Sequence, residues 1–229
     1  MKPFVEVNSF TAVDPLSVPS SEIYRLMIGA IVPRPIAFVS SCSAAGIGNL
    51  APFSFFNGVA SNPPTLMVSI TRKSDGSKKD TLRNIEATRQ FVVNVVDEGM
   101  VEPMNQCSAE YPYGVDEMEK VGLLGVPSTR VKPLRVERSP VQFECELYNT
   151  MEVGDGSAGS ATIVVGRIVW VHVRSDLLEQ TASHGQRIRI GAADSPDDKS
   201  GASLKPLARL GGVSYGKLGE VFDLPRPKV

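Results

Sequence analysis

The sequence predicts a mainly β protein, a β-barrel with small peripheral helices. Three observations carry that expectation. Six or seven β-rich runs recur along the chain, bounded by Gly, Pro, Asn and Ser turn signals. Helical spacing is confined to short stretches between them. The alternation of strands with long amphipathic helices that a doubly wound sheet needs is missing.

Residues 1–20, aperiodic and carrying Pro and Ser, read as an arm on the surface or on a partner subunit. Ser21 to Ile28 has the make-up of a short helix capped by Ser20 or Ser21, and Pro33 and Pro35 require it to stop. Ile36 to Ser41 is β-rich, and Gly46 and Gly48 turn the chain into a second strand from Leu50 to Asn57, giving a hairpin. Beyond the Asn62-Pro63-Pro64 break, Thr65 to Thr71 forms a third strand. Leu82 and Ile85 share one face of a helix over Asp80 to Thr88, which runs into a fourth strand over Phe91 to Val96. Two short helices, around Glu102 to Ser108 and Asp116 to Val121, flank a Tyr-Pro-Tyr-Gly turn. Arg130 to Val136, Val141 to Glu152 and Ala161 to Val173 follow as β runs, the first confined to an edge by Pro133. The last two make a long hairpin around the Gly154 to Ser160 loop. Past Arg174 come a polar stretch over Ser195 to Ser203, expected to be mobile, the segment LARLGGVSYGKLGE and a Pro-rich tail. The organisation expected is an arm (1–20), a barrel domain (21–175) and an extension (176–229) packed on the barrel or on a dimer partner.

Composition narrows the function. The 229 residues carry 24 Lys+Arg against 25 Asp+Glu, so nucleic acid is not expected as a partner, because phosphate binding normally leaves a basic excess. No apolar run approaches the roughly 20 residues of a membrane span. The N-terminus MKPFVEVNSFTAVDP lacks the features of a signal or transit peptide, and a cytoplasmic protein is expected. Cys42, Cys107 and Cys145 are odd in number and far apart, which argues against a disulfide framework and for inert thiols, with Cys145 facing the core. The two histidines, His172 and His184, lack the spacing of metal ligands, and no metal is expected; His172 within IVWVHV reads as a packed strand residue.

Two glycine patterns imitate a dinucleotide fingerprint. Gly154-Asp155-Gly156-Ser157-Ala158-Gly159 and Gly46-Ile47-Gly48-Asn49-Leu50-Ala51 have the spacing, but in that fold the pyrophosphate sits on the N-terminus of a helix. The first runs into the strand ATIVVGRIVWV and the second into Pro52 and the β-favouring Phe53, Phe55 and Phe56, so both are hairpin turns. A basic corner is the better lead. Thr71-Arg72-Lys73 ends a strand, and Ser77-Lys78-Lys79-Asp80-Thr81 opens a helix. Helix amides, nearby cations and the Thr81 hydroxyl make an anion site; the plain alternative is a solvated basic loop with an ordinary cap from Ser77 or Asp80. Between Asn49 and Asn57, alternation puts Leu50, Pro52, Ser54 and Phe56 on one face and Ala51, Phe53 and Phe55 on the other. Asn49 and Ser54 could hydrogen-bond a flat heterocycle, or the segment could be an edge strand whose aromatics fill the core.

Taken in order and spacing, PRPIAFVSS, NLAPFSFFNGVASNPP, VSITRKSDGSKKDTLRNI and FVVNVV closely resemble the flavin reductase-like family of FMN-binding split barrels, a Greek-key type of barrel. The resemblance covers roughly residues 21 to 175 and extends weakly to LARLGGVSY. It implies that Ser40, Asn49, Ala51, Pro52, Ser54 and Phe55 line the isoalloxazine and ribityl chain, with Ser41, Leu50 and Ser69 beside them. It implies that Thr71, Arg72, Lys79, Asp80 and Thr81 hold or frame the phosphate, and that Arg209 to Tyr215, with Arg209, Gly211 and Tyr215 as lid or substrate contacts, covers the ring. It further implies a homodimer with FMN near the interface, NADH or NADPH as donor, and no catalytic side chain, the flavin itself carrying the electronic work. The family includes reductase components of two-component monooxygenases and flavoredoxin-type carriers. One departure is visible. Short-chain reductases of this family carry Gly-Asp-His before the last long strand, the His contacting the nicotinamide; here the residues are Gly154, Asp155 and Gly156.

Overall fold

The apolar runs of the middle of the chain pair into one seven-stranded antiparallel sheet in a computed structural model that describes residues 4–7, 9–181, 185–191 and 203–227. Its strands are β1 (Ala37–Cys42), β2 (Gly48–Phe53), β3 (Phe56–Ser61), β4 (Pro64–Thr71), β5 (Gln90–Val95), β6 (Val141–Val153) and β7 (Ala161–Val173). Their spatial order is β2-β1-β5-β6-β7-β4-β3. The two rim strands, β2 and β3, are consecutive in the chain, with only Ser54 and Phe55 between them. The Ser69 amide donates to the Phe55 carbonyl at 2.8 Å, so the chain itself crosses from one rim to the other and curls the sheet into a barrel.

Alternation along the strands sorts the apolar residues into two cores. Ala37, Val39, Val68, Phe91, Val93 and Val164 fill the barrel. Among the described residues four α-helices accompany the sheet: α1 (Ser20–Ala30), α2 (Asp80–Thr88), α3 (Val101–Gln106) and α4 (Glu117–Lys120). Leu82 and Ile85 of α2 join the barrel core, which fixes the helix across the barrel. On the outer face Phe38, Leu50, Met100, Met104, Met118 and Val136 form a second core under the excursion that carries α3 and α4. Being covered on both sides, β1 is buried along its whole length. Gly166 on β7 faces the barrel centre, where a Cβ would overlap the fully buried ring of Phe91. That ring has nowhere to move. Gly166→Ala is therefore expected to destabilise the fold by about 1 to 3 kcal/mol, read as a lower urea midpoint at unchanged m-value.

Several elements depart from the expectation, each for a physical reason. The strand expected over Leu50 to Asn57 breaks at Ser54–Phe55, because the chain must leave one rim for the other. Beyond the break Phe56 packs with Ala51 and Phe53 on the barrel core, opposite to the expected face. The arm expected to be aperiodic contains a hairpin, Phe4–Val7 paired with Phe10–Val13, with Ser9 at φ 69° in its turn. Helix α1 starts after Pro19 with no side-chain cap, so neither Ser20 nor Ser21 has that role. Only Arg135–Val136 of the Arg130 to Val136 run forms a ladder, with Gly125–Val126. The amides of Thr129, Arg130 and Val131 instead donate to the Glu144 carboxylate, and Pro133 has no amide to give. In the extension, Leu207–Arg209 lies between Arg34–Pro35 and Tyr215–Lys217 and packs back on the outer core through Leu207. Of the polar stretch over 195–203 only Ser203 lies within the described residues, and His184 lies outside them.

Candidate functional site

The basic corner begins where β4 runs out. Thr71 is its last ladder residue, opposite Ala161. The Arg72 amide then donates to the Ser160 carbonyl and the Lys73 amide to the Ser77 carbonyl, both at 2.9 Å, folding the loop against the tip of the β6–β7 hairpin. Helix α2 follows with Lys79 extended at its N-cap and no side-chain cap, so neither Ser77 nor Asp80 satisfies its first amides. The cations around it are unequally engaged. Lys78 Nζ sits 2.6 Å from Glu86 Oε1, and Lys73 Nζ sits 3.4 Å from Asp80 Oδ1. Arg72 reaches Glu152 through Nη2 at 2.9 Å, while its Nε is buried without a partner. Lys79, among the described residues, has no carboxylate within ion-pair distance; its Nζ lies 6.0 Å from the centroid of the Phe53 ring.

Lys79, Asp80 and Thr81 form one wall of a cleft of about 140 Å³, and Asn49, Ala51, Pro52 and Phe53 of β2 form another. Cys107 to Tyr111 and Glu117 complete it. Its floor is polar and buried. Asn49 Nδ2 donates to Thr81 Oγ1 at 2.9 Å, and the Leu50 amide donates to Glu117 Oε2 at 2.8 Å. Burial pushes the Glu117 carboxyl up; the Leu50 amide opposes that shift, whereas the charges of Asp116 and Asp80 reinforce it. The Cys107 thiol, buried beside Glu117 and Asp116, is pushed up to about 12, so it is held protonated and inert at neutral pH. Cys42 and Cys145 are buried free thiols too, Cys145 within the barrel core.

The structure gathers the sequence-derived residues into three groups. Asn49, Ala51, Pro52, Lys79, Asp80 and Thr81 share the cleft. Thr71 and Arg72 stand at the strand end beside it. Ser54, Phe55 and Ser69 lie at the rim crossing, which a buried arginine pins: Arg34 donates to the carbonyls of Ile28 and Ile31 at 2.8 Å and of Leu210 at 2.9 Å. Its Nε lies 3.4 Å from Ser54 Oγ, and its guanidinium 5.8 Å from the Phe55 ring centroid. Three residues are turned elsewhere. The Ser40 hydroxyl donates to the Leu134 carbonyl at 2.5 Å and accepts from Asn94, the Ser41 hydroxyl accepts from Asn84 at 3.2 Å, and the Leu50 side chain sits in the outer core. The residues expected as lid or substrate contacts form a tight arc. Arg209 stacks 4.4 Å from the Tyr215 ring centroid, Tyr215 donates to Asn105 Oδ1 of α3 at 3.2 Å, and Gly211 packs on Gly29 of α1. Helix α3 leads directly into the 107–111 wall of the cleft.

Sequence reasoning missed that wall, Glu117 and Arg34. Glu117 lies in Asp-Glu-Met-Glu-Lys, which reads as a solvated helix face, and the Tyr111-Pro112-Tyr113-Gly114 turn was the wall's single local signal. His172 is a strand residue, as expected, and its Nε2 pairs with the buried Glu144 at 2.6 Å.

Fold and corner together describe a split barrel with a basic helix start lining a polar cleft. The chain belongs to the flavin reductase-like family, matching the flavin reductase like domain over residues 28–190. It is 40% identical to an uncharacterized protein of Halalkalibacterium halodurans, over 94% of this chain and 96% of that one. Among solved structures it resembles nitrilotriacetate monooxygenase component B from Bacillus cereus, with TM-score 0.83 and 35% identity, covering 95% of this chain and 100% of that one. It also resembles the 2-nitrobenzoate 2-nitroreductase NbaA of Pseudomonas fluorescens, with TM-score 0.74 and 29% identity over 95% and 96% of the two chains. No helix among the described residues is long and apolar enough to cross a membrane.

Proposed function

We propose that the protein is a cytoplasmic, homodimeric FMN-binding flavin reductase that draws on NADH or NADPH and serves a monooxygenase component. The observation that carries this reading is the corner where Lys79, without a carboxylate partner among the described residues, and the uncapped start of α2 line the cleft, with Arg72, whose Nε is buried without a partner, at the end of the adjoining strand. A phosphate monoester satisfies all three, so the residues present fit FMN. Lys79, Arg72, Thr81 and the first amides of α2 would hold the phosphate. Asn49 and the backbone of β2 would meet polar edges of the ligand, and Pro52 and Phe53, with Phe55 at the rim crossing, would supply apolar surface for the ring. FMN held there would supply the redox chemistry, hydride acceptance from a nicotinamide and electron transfer to an acceptor. The chain's share is to bind, orient and keep water from the buried floor of the cleft. The similarity to nitrilotriacetate monooxygenase component B supports the two-component assignment.

Gly156, standing where short-chain reductases of the family carry a histidine, favours a second reading. In it the protein is a flavoredoxin-like electron carrier, or an FMN-dependent reductase of a small organic substrate or metal chelate. The similarity to a nitroreductase supports the latter form. Anaerobic stopped-flow mixing of FMN-loaded protein with NADH and with NADPH separates the two. Rapid bleaching of the bound flavin is expected for the reductase, and slow bleaching by both donors assigns the carrier. A protein that takes up no added FMN removes both.

A further inference from the structure

Glu117 is a buried carboxyl, 6% exposed, on the floor of the same cleft that Lys79 and Thr81 line. We propose, resting on the FMN reading above, that phosphate binding at this corner is proton-linked through Glu117: its carboxylate takes one proton from solvent as the phosphate enters, and releases it when the phosphate leaves.

The argument is one of unbalanced charge in a confined volume. The charged and titratable groups around Glu117 are Asp116 at the start of its own helix, Asp80 and Lys79 from the beginning of α2, Lys73 from the basic loop, and Glu110, Tyr111 and Cys107 from the facing wall. Lys73 is already held by Asp80, which leaves Lys79 as the cation of the cleft without a carboxylate of its own among the described residues. An arriving phosphate dianion claims Lys79. Glu117 is then a buried negative charge among Asp80, Asp116 and the phosphate, with the Leu50 amide and its own amide as donors and, among the described residues, no cation paired with it. Protonation relieves it, because a neutral carboxyl keeps accepting the Leu50 amide while removing the repulsion. Burial already pushes this carboxyl up before any ligand arrives, so the proton is close at hand.

The test is FMN affinity, read by flavin fluorescence, for the wild type and Glu117→Gln from about pH 6.5 to 8.5, above the second phosphate pKa of about 6. The glutamine carbonyl retains an acceptor for the Leu50 amide. The wild-type dissociation constant is expected to rise relative to the variant's as pH rises, approaching about tenfold per pH unit, with the variant binding more tightly at the alkaline end. Riboflavin, which has the ring but no phosphate, is expected to show a wild-type to variant ratio that does not change with pH. Calorimetric titration of wild-type protein with FMN in buffers of different ionisation heat reads proton uptake directly and needs no variant. A ratio flat with pH together with no proton uptake overturns the proposal and leaves FMN binding standing, as does a riboflavin ratio that follows the FMN one. Failure of the wild type to bind FMN at any pH overturns the proposed function and this inference together.

Discussion

Replacing Lys79 by alanine is expected to weaken FMN binding by about 1 to 3 kcal/mol, roughly five- to 150-fold in Kd, with riboflavin binding unchanged. Lys79 is the clean position for this test. Among the described residues it has no carboxylate to strand when it is removed, so the loss reports its contact with the ligand rather than a broken ion pair. Arg72→Ala is expected to lie in the same range, but it also releases Glu152, which Arg72 holds at 2.9 Å beside the Thr162 hydroxyl. Unchanged FMN affinity in both variants removes the phosphate assignment. Equal losses for FMN and riboflavin move these two side chains from the phosphate to the ring.

The second large effect is one of stability. Glu144→Ala is expected to cost about 3 to 5 kcal/mol, because it strands a set of groups that all point at one buried carboxylate. Glu144 is fully buried and accepts from the amides of Thr129 at 2.7 Å, Arg130 at 2.6 Å and Val131 at 3.3 Å, with His172 Nε2 at 2.6 Å. Burial alone works against its ionisation, but the Thr129 amide, His172 and the Arg130 amide outweigh it and hold the carboxyl below its usual range. The sign of the pH dependence follows. A folded-state value below the unfolded one, about 4.3, means the contribution is complete above that unfolded value and is lost as pH falls through the folded one. Urea unfolding between about pH 3 and 7 is therefore expected to show a wild-type stability that declines in acid and a flatter profile for the alanine variant. Equal slopes in the two proteins remove Glu144 as the source.

What could be read from the sequence was whatever depends on near neighbours. The helix over Asp80 to Thr88 follows from Leu82 and Ile85 on one face, the hairpin tip over Gly154 to Ser160 from its glycines, and the basic corner from a strand end meeting a helix start within ten residues. What could not be read depends on partners far along the chain. The loop at 129–131 gives up its ladder for a carboxylate on another strand. Arg34 is anchored by Leu210, and Glu117 is buried by the Leu50 amide it receives. Within the candidate site, the α2 wall was legible and the 107–111 wall was not, since nothing local marks a loop as facing a cleft. The break at Ser54 belongs to the same class: alternation continues through it in the sequence, and only closure of the sheet requires the turn.

That closure has a consequence for how such a protein can change over time. The peptide hemming the barrel, Phe53 to Phe56, is also the one that the FMN reading sets beneath the ligand. Because their own turns fix β2 on β1 and β3 on β4, one inserted or deleted residue there falls on the crossing itself and displaces the Phe55 carbonyl from the Ser69 amide. Length variation at that seam is thus penalised twice, in folding and in recognition. Variants with new substrate preferences should instead accumulate around 107–111 and in the arc from Arg209 to Tyr215, and loop-grafting libraries belong at those two places.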